Sequence, residues 1–274
     1  MCRWLVYKGE SILMDQLLLK PKNSLIHQSI DYQEGAVTVN GDGFGIGWYS
    51  DNIASAGLYK DQLPAWNDNN LNSLVTHIQS PLFFAHIRAT TSSPSSRVNC
   101  HPFRYKNWLF MHNGSIAEFI TLRYHLEKLI TPKYYSLRQG GTDTEALFLI
   151  ALSFGLEKDP VAALEKTLQA VRKIMKEHNV TGPLRASIAV SNGNDVYVLR
   201  YSNTESCPSL YYSTDVDKIN LIENFSINPQ VTPSVLVVSE PLDSSLHEHY
   251  KKIENGELLH ITPNVKMHRH TLTI

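Results

Sequence analysis

The sequence predicts an α+β protein built from stacked layers of sheet and helix. Short apolar runs bounded by glycine, proline or asparagine are frequent before residue 113 and after residue 185, as is typical of strands. Helical periodicity with capping residues dominates the stretch between them. Because no internal repeat, low-complexity stretch or linker interrupts the chain, we expect residues 1–274 to form a single domain.

Strands are predicted first, with one early helix. The glycine-rich segment 40–45 leads into another apolar run, and Asn70–Ile78 has a helical pattern. The strand before Asn113 is expected to end at the Asn113-Gly114 pair. The predicted strands of this half are Cys2–Tyr7, which should end at Lys8-Gly9, then Leu82–Ala89 and Asn107–His112.

Three helices are expected in the middle of the chain. Ser115 and Glu118 have the spacing of a capping box, and so do Thr142 and Glu145. Asp159-Pro160 predicts a third helix start, because proline is favoured at the first helical position. That helix should end near residue 178.

The last hundred residues again have the pattern of strands. Residues 192–195 (NGND) separate two apolar runs, which indicates a hairpin. The strands predicted here are Ala186–Val190, Val196–Tyr201, Ser209–Ser213, Ser234–Ser239 and Glu257–Ile261.

Composition excludes several classes of protein. The 274 residues carry a formal net charge of −1, which gives no electrostatic basis for binding nucleic acid or a membrane surface. No run of about 18 apolar residues indicates a membrane span. The three cysteines lack CxxC spacing, so we expect neither a disulfide framework nor a metal site. A cytoplasmic protein without metal or cofactor is therefore expected, and the start of the chain does not resemble a signal peptide.

Cys2 is the most informative residue of the sequence. Methionine is normally trimmed before a small residue, and trimming would leave Cys2 with both a thiol and a free α-amine. An α-amine has a pKa of about 7.7–8.0, so it exchanges protons near neutral pH. Nucleophile and general base would then lie on one residue. The alternative is an incidental cysteine near the start of the chain.

Two segments combine polar groups with the ends of apolar elements. In AHIRATT, Arg88 closes a strand and suits bidentate capture of a carboxylate, or else it extends to solvent. In MHNGS, Asn113 and Gly114 offer two hydrogen-bond donors beside an expected helix start, an arrangement suited to an oxyanion hole. The alternative for this pair is a plain Asn-Gly turn.

Two further segments are less specific. The glycines of NGDGFG, including Gly43, permit close backbone approach or simply form a turn. Asp143 falls in the first turn of a predicted helix, where it either interacts with the helix dipole or accepts a substrate ammonium. Taken with Cys2, the four segments describe hydrolysis of the side-chain amide of an α-amino acid.

The succession of these motifs resembles the class II glutamine amidotransferases. The matching blocks are MCRW, NGDGFG, AHIRATT, NCHPF, FMHNG, TDTE and VVSEPL. The resemblance implies an N-terminal-nucleophile hydrolase with a four-layer αββα sandwich. It further implies the following roles: Cys2 as nucleophile, Asn113 and Gly114 as oxyanion hole, Arg88 with Thr91 at the substrate carboxylate, Asp143 at the substrate amine, and Gly43 in the loop over the nucleophile.

The chain is most similar to short stand-alone members of this family, which lack a synthase domain. The resemblance therefore implies a γ-glutamyl amide hydrolase acting on glutamine or a glutathione-like substrate, with a role in glutathione degradation and a peptidase partner. Two alternatives remain open. One is a glutaminase subunit that supplies ammonia to a separate synthase, and the other is a catalytically silent γ-glutamyl-binding module.

Overall fold

Two antiparallel sheets form the centre of the protein. The computed structural model describes residues 2–30, 40–50, 53–89, 95–214, 216, 233–243 and 246–274. Its strands are β1 (Arg3–Leu13), β2 (Phe44–Tyr49), β3 (Gly57–Asp61), β4 (Gln79–Ile87), β5 (Phe103–Tyr105), β6 (Trp108–Ile116), β7 (Leu184–Ser191), β8 (Val196–Ser202), β9 (Tyr211–Ser213), β10 (Val235–Val238), β11 (Lys251–Lys252), β12 (Glu257–Ile261) and β13 (Met267–Thr271).

The helices belong to the outer layers. They are α1 (Asp15–Leu18), α2 (Leu25–Ile30), α3 (Asn69–Val75), α4 (Phe119–Glu127), α5 (Pro132–Tyr135), α6 (Asp143–Ser153), α7 (Pro160–Glu177) and α8 (Leu246–His249). Two short 3₁₀ turns occupy Ala65–Asn67 and Arg97–Asn99. None of the helices described is both long and apolar enough to cross a membrane.

Every strand pair within the described residues is antiparallel. One sheet has the strand order β11-β9-β10-β1-β4-β2-β3, and the other has the order β13-β12-β8-β7-β6-β5. The candidate nucleophile, Cys2, therefore immediately precedes β1, the central strand of the seven-stranded sheet. The HNG motif lies in β6 of the six-stranded sheet. Residues from the two sheets must meet between them to form a shared site.

Three apolar clusters define four layers. Trp4 and Phe84 of the first sheet pack with Leu109 and Met111 of the second, which forms the layer between the sheets. The outer face of the six-stranded sheet packs against α4, α6 and α7. The outer face of the seven-stranded sheet packs against α1, α2 and α3. This order of layers confirms the predicted αββα sandwich.

Two of the helices that cover the six-stranded sheet, α6 and α7, begin where the sequence predicts. The Thr142 hydroxyl accepts a hydrogen bond from Glu145 N at 3.2 Å, and Asp159 Oδ1 accepts one from Ala162 N at 3.1 Å. Both bonds satisfy backbone donors that a helix start leaves without partners. Residues 144–152 of α6 are all buried, so this helix lies inside the layer rather than at its surface.

Two predicted strand ends are wrong. β1 does not stop at Lys8-Gly9 but continues to Leu13, since the Lys8 ammonium is held by Asn194 O at 2.7 Å and Ile12 pairs with Ser80 beyond a register shift. β6 likewise continues through Asn113-Gly114 to Ile116. In both cases pairing with a neighbouring strand outweighs a local turn signal.

The predicted capping box at Ser115 is also wrong. Ser115 lies in β6, and α4 begins four residues later, at Phe119. Glu118 precedes this helix with a φ of 51°, and its side chain makes no capping bond. The eight-residue pairing of β6 with β7 carries the chain past the apparent helix start.

Candidate active site

Cys2 lies immediately before β1, at the end of the pairing between β1 and β4. Arg3 is opposite Ile87 in that ladder, and Ala89 lies just beyond it. The Ala89 N–H donates to Cys2 Sγ at 3.4 Å, and the thiol lies 3.5 Å from Ala89 O. The half-buried thiol is thus held at the end of the strand that carries Arg88.

Burial raises the pKa of the Cys2 thiol above its usual value. The hydrogen bond with Ala89 and the positive charge of Arg88 oppose this rise, whereas the negative charge of Asp143 adds to it. Both charged side chains are therefore near enough to influence the thiol. Since only the thiolate is a good nucleophile, a thiol in this setting requires a base to remove its proton.

Asn113 reaches Cys2 from the other sheet. Its Nδ2 donates to Cys2 O at 2.9 Å, which joins residues 111 positions apart. Asn113 is buried on β6, opposite Ser187 of β7. The amide group carries two N–H donors, so one remains for another acceptor while the first holds Cys2.

The Gly114 N–H faces the open edge of β6. Tyr105 and Trp108 close a two-residue hairpin, so Trp108 directs its N–H and C=O toward β5. Backbone groups alternate along a strand, which places the Gly114 N–H on the same side, beyond the end of β5. The Ile116 N–H, two residues further, agrees with this, because it donates to Asp143 Oδ2 at 3.1 Å.

Glycine is required at position 114 by close packing. A Cβ atom there would lie 2.0 Å from the backbone oxygen of Arg185 and 2.5 Å from His112 Nε2. Backbone of a paired strand cannot yield to such a contact. The residue following Asn113 must therefore lack a side chain, whatever the role of its N–H.

Asp143 joins the start of α6 to β6. Its Oδ2 accepts the hydrogen bond from Ile116, and its Oδ1 accepts one from Thr144 N at 2.8 Å. Asp143 is half-buried, and its carboxylate is held close to β6. Two backbone donors fix its direction, as binding of a substrate ammonium would require.

Arg88 and Gly43 lie side by side. The Arg88 backbone N–H donates to Gly43 O at 2.8 Å, and its guanidinium donates to Asp42 O at 3.2 Å. Gly43 has a φ of +110°, and a Cβ atom there would lie 2.5 Å from Cys100 Sγ. The predicted glycine-rich loop is thus in contact with the end of β4, while Thr91 lies outside the described residues.

The site therefore assembles most of the residues that the sequence singled out. Cys2 contacts Asn113 directly and also contacts Ala89, the residue after Arg88. Asp143 is hydrogen-bonded to Ile116 of β6, two residues past Gly114. The expected helix N-terminus beside Asn113 is absent from this part of the described chain, because β6 continues there. Any oxyanion hole would consist of strand donors rather than a helix start.

Three buried histidines, His86, His101 and His112, lie in the sequence blocks AHIRATT, NCHPF and FMHNG but are not among the predicted site residues. His101 Nδ1 and His86 Nε2 are 2.9 Å apart. His112 Nε2 lies 3.1 Å from Arg185 O and must donate to it, so Nδ1 of the neutral ring accepts from the Thr144 hydroxyl at 3.0 Å. His112 thereby orients Thr144, whose backbone N–H holds Asp143.

No group of three or more His, Cys, Asp or Glu side chains that could bind a metal ion is found among the described residues. The three histidines contact hydroxyl, carbonyl and imidazole groups instead. Their chemistry in this structure is that of neutral hydrogen-bonding groups.

We predict that acid destabilises the protein through these histidines. Burial lowers the pKa of His86 to about 3 and that of His101 well below its usual value, and it lowers that of His112 as well. The unfolded state then binds more protons below about pH 6.5, so stability falls as pH decreases from there toward about 3. A histidine whose folded-state pKa is about 3, as for His86, costs about 2 kcal/mol of unfolding free energy between pH 7.5 and pH 5.

Urea unfolding at a series of pH values measures this dependence. His101→Asn should reduce the slope of unfolding free energy against pH by about one proton. The exposed His77 supplies the matched control, and His77→Gln should leave the slope unchanged. Unfolding free energy that stays level between pH 7.5 and pH 5 would contradict neutral burial.

Comparison with known proteins shows the family to which the chain belongs. The family model described as "Glutamine amidotransferases class-II" matches residues 20–267, a span that begins after Cys2. The probable glutamine amidotransferase DUG3 of Saccharomyces cerevisiae is 35% identical, over 88% of this chain and 76% of its own length. An uncharacterized protein of Methanocaldococcus jannaschii is 28% identical, over 86% of this chain and 63% of its own length.

Solved structures show the same architecture. A glutamine aminotransferase class-II domain protein from Silicibacter pomeroyi superposes with a TM-score of 0.74 at 30% identity, over the whole of both chains. The glutamine phosphoribosylpyrophosphate amidotransferase of B. subtilis has a TM-score of 0.63 at 16% identity, over 99% of this chain and 49% of its own. The latter likeness concerns the fold alone. With its family match, relatives and N-terminal-nucleophile hydrolase fold, the chain belongs to the class II glutamine amidotransferases.

Proposed function

We propose that this protein hydrolyses γ-glutamyl amides, with Cys2 as the nucleophile. The observation that carries the proposal is the hydrogen bond from Asn113 Nδ2 to Cys2 O at 2.9 Å. It brings the residue next to the initiating methionine into contact with the HNG motif of the other sheet. An amide hydrolase needs such a pairing of nucleophile and oxyanion donor.

In this proposal the active form lacks Met1, which lies outside the described residues. Removal of Met1 frees the α-amine of Cys2, whose pKa of about 7.7–8.0 suits a general base at neutral pH. Burial raises the pKa of the thiol, so a standing thiolate is disfavoured and proton removal during attack is required. The amine takes that proton as sulfur bonds to the amide carbon.

The remaining steps follow from the same groups. Asn113 Nδ2 and the Gly114 N–H would stabilise the negative oxygen of the tetrahedral intermediate. The protonated amine would then donate to the leaving nitrogen, so the carbon–nitrogen bond breaks and a γ-glutamyl thioester forms. Water, deprotonated by the amine, would cleave this thioester to release glutamate and restore the thiol.

Arg88 and Asp143 would recognise the amino-acid end of the substrate. A guanidinium binds a carboxylate through paired hydrogen bonds, and a carboxylate binds an ammonium. The charges of both residues influence the pKa of the Cys2 thiol, which supports a place for both near the group that would attack the substrate. Thr91 would assist at the carboxylate, and Gly43 would belong to the loop over the nucleophile.

Two further parts of the proposal concern context. We propose that the whole span acts as one catalytic domain and that glutathione-like amides, acted on with a partner peptidase, are among its substrates. The alternatives are a glutaminase subunit that delivers ammonia to a synthase and a binding module without turnover. Mass-checked protein incubated with glutamine, glutathione and other γ-glutamyl amides, with released glutamate quantified, separates them. Turnover of glutamine alone favours the subunit, and binding without turnover favours the module.

We predict that both charged ends of the substrate are required. A site built from buried polar groups rejects analogues that leave those groups unpaired, by up to about 10⁴–10⁵-fold. A des-amino analogue would lack the ammonium that Asp143 is proposed to bind, and a decarboxylated analogue would lack the carboxylate that Arg88 is proposed to bind. Rates of amide cleavage on these two analogues and on the parent amide, compared as kcat/KM, test the pair.

The variant Asp143→Asn provides the matched control for the analogues. It should lower kcat/KM strongly for the parent amide but little for the des-amino analogue, because that analogue has no ammonium for Asp143 to bind. If a glutarate mono-amide reacts as fast as glutamine, the assignment of Asp143 to the ammonium is wrong.

A further inference from the structure

A nucleophile at the start of a chain is difficult to hold in place. Chain termini fray unless other elements fix them. The ladder between β1 and β4 ends at Arg3 opposite Ile87, so Cys2 lies outside it. Besides the contact between its thiol and Ala89, the position of Cys2 must therefore depend on contacts to its backbone and on the residue that follows.

Arg3 makes such a contact. Its guanidinium Nη1 donates to Cys2 O at 3.2 Å, the same oxygen that accepts from Asn113. The Cys2 carbonyl is thus held from both sheets, by Asn113 on one side and by Arg3 on the other. Two donors on one carbonyl oxygen restrict the orientation of the peptide plane that contains Cys2 Cα, the atom that carries both the side chain and the amine.

Arg3 is itself fixed by a buried ion pair. Its Nε donates to Glu240 Oε2 at 3.0 Å, and only 2% of the Arg3 side chain and 4% of the Glu240 side chain are exposed. Nε and Nη1 lie on the same planar group, so the carboxylate that holds one nitrogen also directs the other toward Cys2. A lysine has no such rigid group.

The segment after β10 completes the arrangement. Ser239 N donates to Trp4 O at 3.0 Å, and Trp4 N donates to the Ser239 hydroxyl at 3.1 Å. Ser239 and Glu240 therefore extend the pairing of β1 with β10 toward the chain start. Glu240 is the last residue of this extension and contacts Arg3, the residue that follows Cys2.

Stability alone is a weak reason for such a pair. Removing two charges from water is costly, and apolar or neutral replacements of a buried ion pair are often as stable as the pair itself. The planar guanidinium of Arg3 also links the buried carboxylate of Glu240 to the carbonyl of Cys2. The ion pair can therefore orient Cys2.

We propose that Arg3 and Glu240 are positioning residues that orient Cys2 for attack. The inference rests on the proposed function, since it requires Cys2 to be the nucleophile. It predicts that the ion pair sets the rate of the chemical step rather than substrate affinity or overall stability.

The double variant Arg3→Met/Glu240→Gln tests this without leaving an unpaired buried charge. Misplacement of a reacting group by about 1 Å can cost about 10²-fold in rate, so kcat should fall by about 10–100-fold. KM should change less than threefold, and the melting temperature should stay within a few degrees of wild type. Each preparation is mass-checked for removal of Met1 before kinetics are measured.

Two further variants serve as controls for this test. Arg3→Lys keeps the charge but lacks the planar fork, so its kcat should lie below wild type even where the melting temperature is retained. Lys20→Met/Asp15→Asn removes an ion pair of 2.8 Å at α1, away from Cys2, and should leave kcat unchanged.

The outcomes are distinct. Wild-type kcat in a folded Arg3→Met/Glu240→Gln variant would overturn the positioning role while leaving the proposed function intact. A kcat that falls only in proportion to lost folded protein would also overturn it, by making the pair purely structural. If wild-type protein without Met1 releases no glutamate from any γ-glutamyl amide, the proposed function itself fails.

Discussion

Replacement of Cys2 by alanine is expected to abolish release of glutamate from γ-glutamyl amides. Alanine retains the α-amine, the peptide carbonyl held by Asn113 and nearly the same volume, but it lacks the sulfur that would form the thioester. Loss of a covalent nucleophile should reduce kcat to below about one thousandth of the wild-type value. Glutamate release under saturating substrate measures this directly.

Controls separate loss of chemistry from loss of structure. Cys207 also carries a half-buried free thiol, and Cys207→Ala should retain full activity. The melting temperature of Cys2→Ala should remain near that of wild type, because Cys2 lies outside the strand ladder. Residual activity within tenfold of wild type would refute the nucleophile, as would fully active enzyme whose intact mass retains Met1.

The helical layer was the part of the fold most readily predicted from sequence. Thr142 and Asp159 cap α6 and α7 at the predicted positions, because a cap depends on residues only three positions apart. The hairpin of β7 and β8 was likewise predicted from its NGND turn. Such features depend on local geometry, which the order of residues specifies directly.

Strand ends were predicted less well, and the HNG segment shows why. Asn113-Gly114 is a strong turn signal, and Ser115 with Glu118 has capping-box spacing. Both signals are local, whereas the extension of β6 to Ile116 depends on β7, which begins 68 residues later, at Leu184. A pairing partner so far away along the chain cannot be predicted from the residues of the segment itself.

The sequence singles out the groups that are proposed to react but not the residues that support them. Cys2, Asn113 and Asp143 stand out by residue type and position. The role of Arg3 depends on Glu240, 237 positions away, and that of His112 depends on Thr144. One available signal was a charged residue, Arg3, at the start of a strand whose next four residues are buried and apolar.

The proposed oxyanion hole is the second place where a single substitution should have a large effect. Asn113→Ala removes the side-chain donor that would face the developing negative charge. Loss of one such donor typically lowers kcat by about 10²–10³-fold, or about 2.7–4 kcal/mol of transition-state stabilisation. KM should change less, because the contact strengthens mainly in the transition state.

Asn113→Asp should be at least as damaging as Asn113→Ala, since a carboxylate of the same size would repel the oxyanion and could not donate to Cys2 O. Asn107→Ala is the matched control, because Asn107 precedes β6 and its amide bonds only Asn192 O, at 2.6 Å. An increase in KM alone would make Asn113 a residue that binds the ground state. A large drop in melting temperature with kcat retained per folded molecule would make it a structural residue of β6. Only a fall in kcat at unchanged melting temperature supports strand donors, Asn113 Nδ2 and the Gly114 N–H, as the group that stabilises the intermediate.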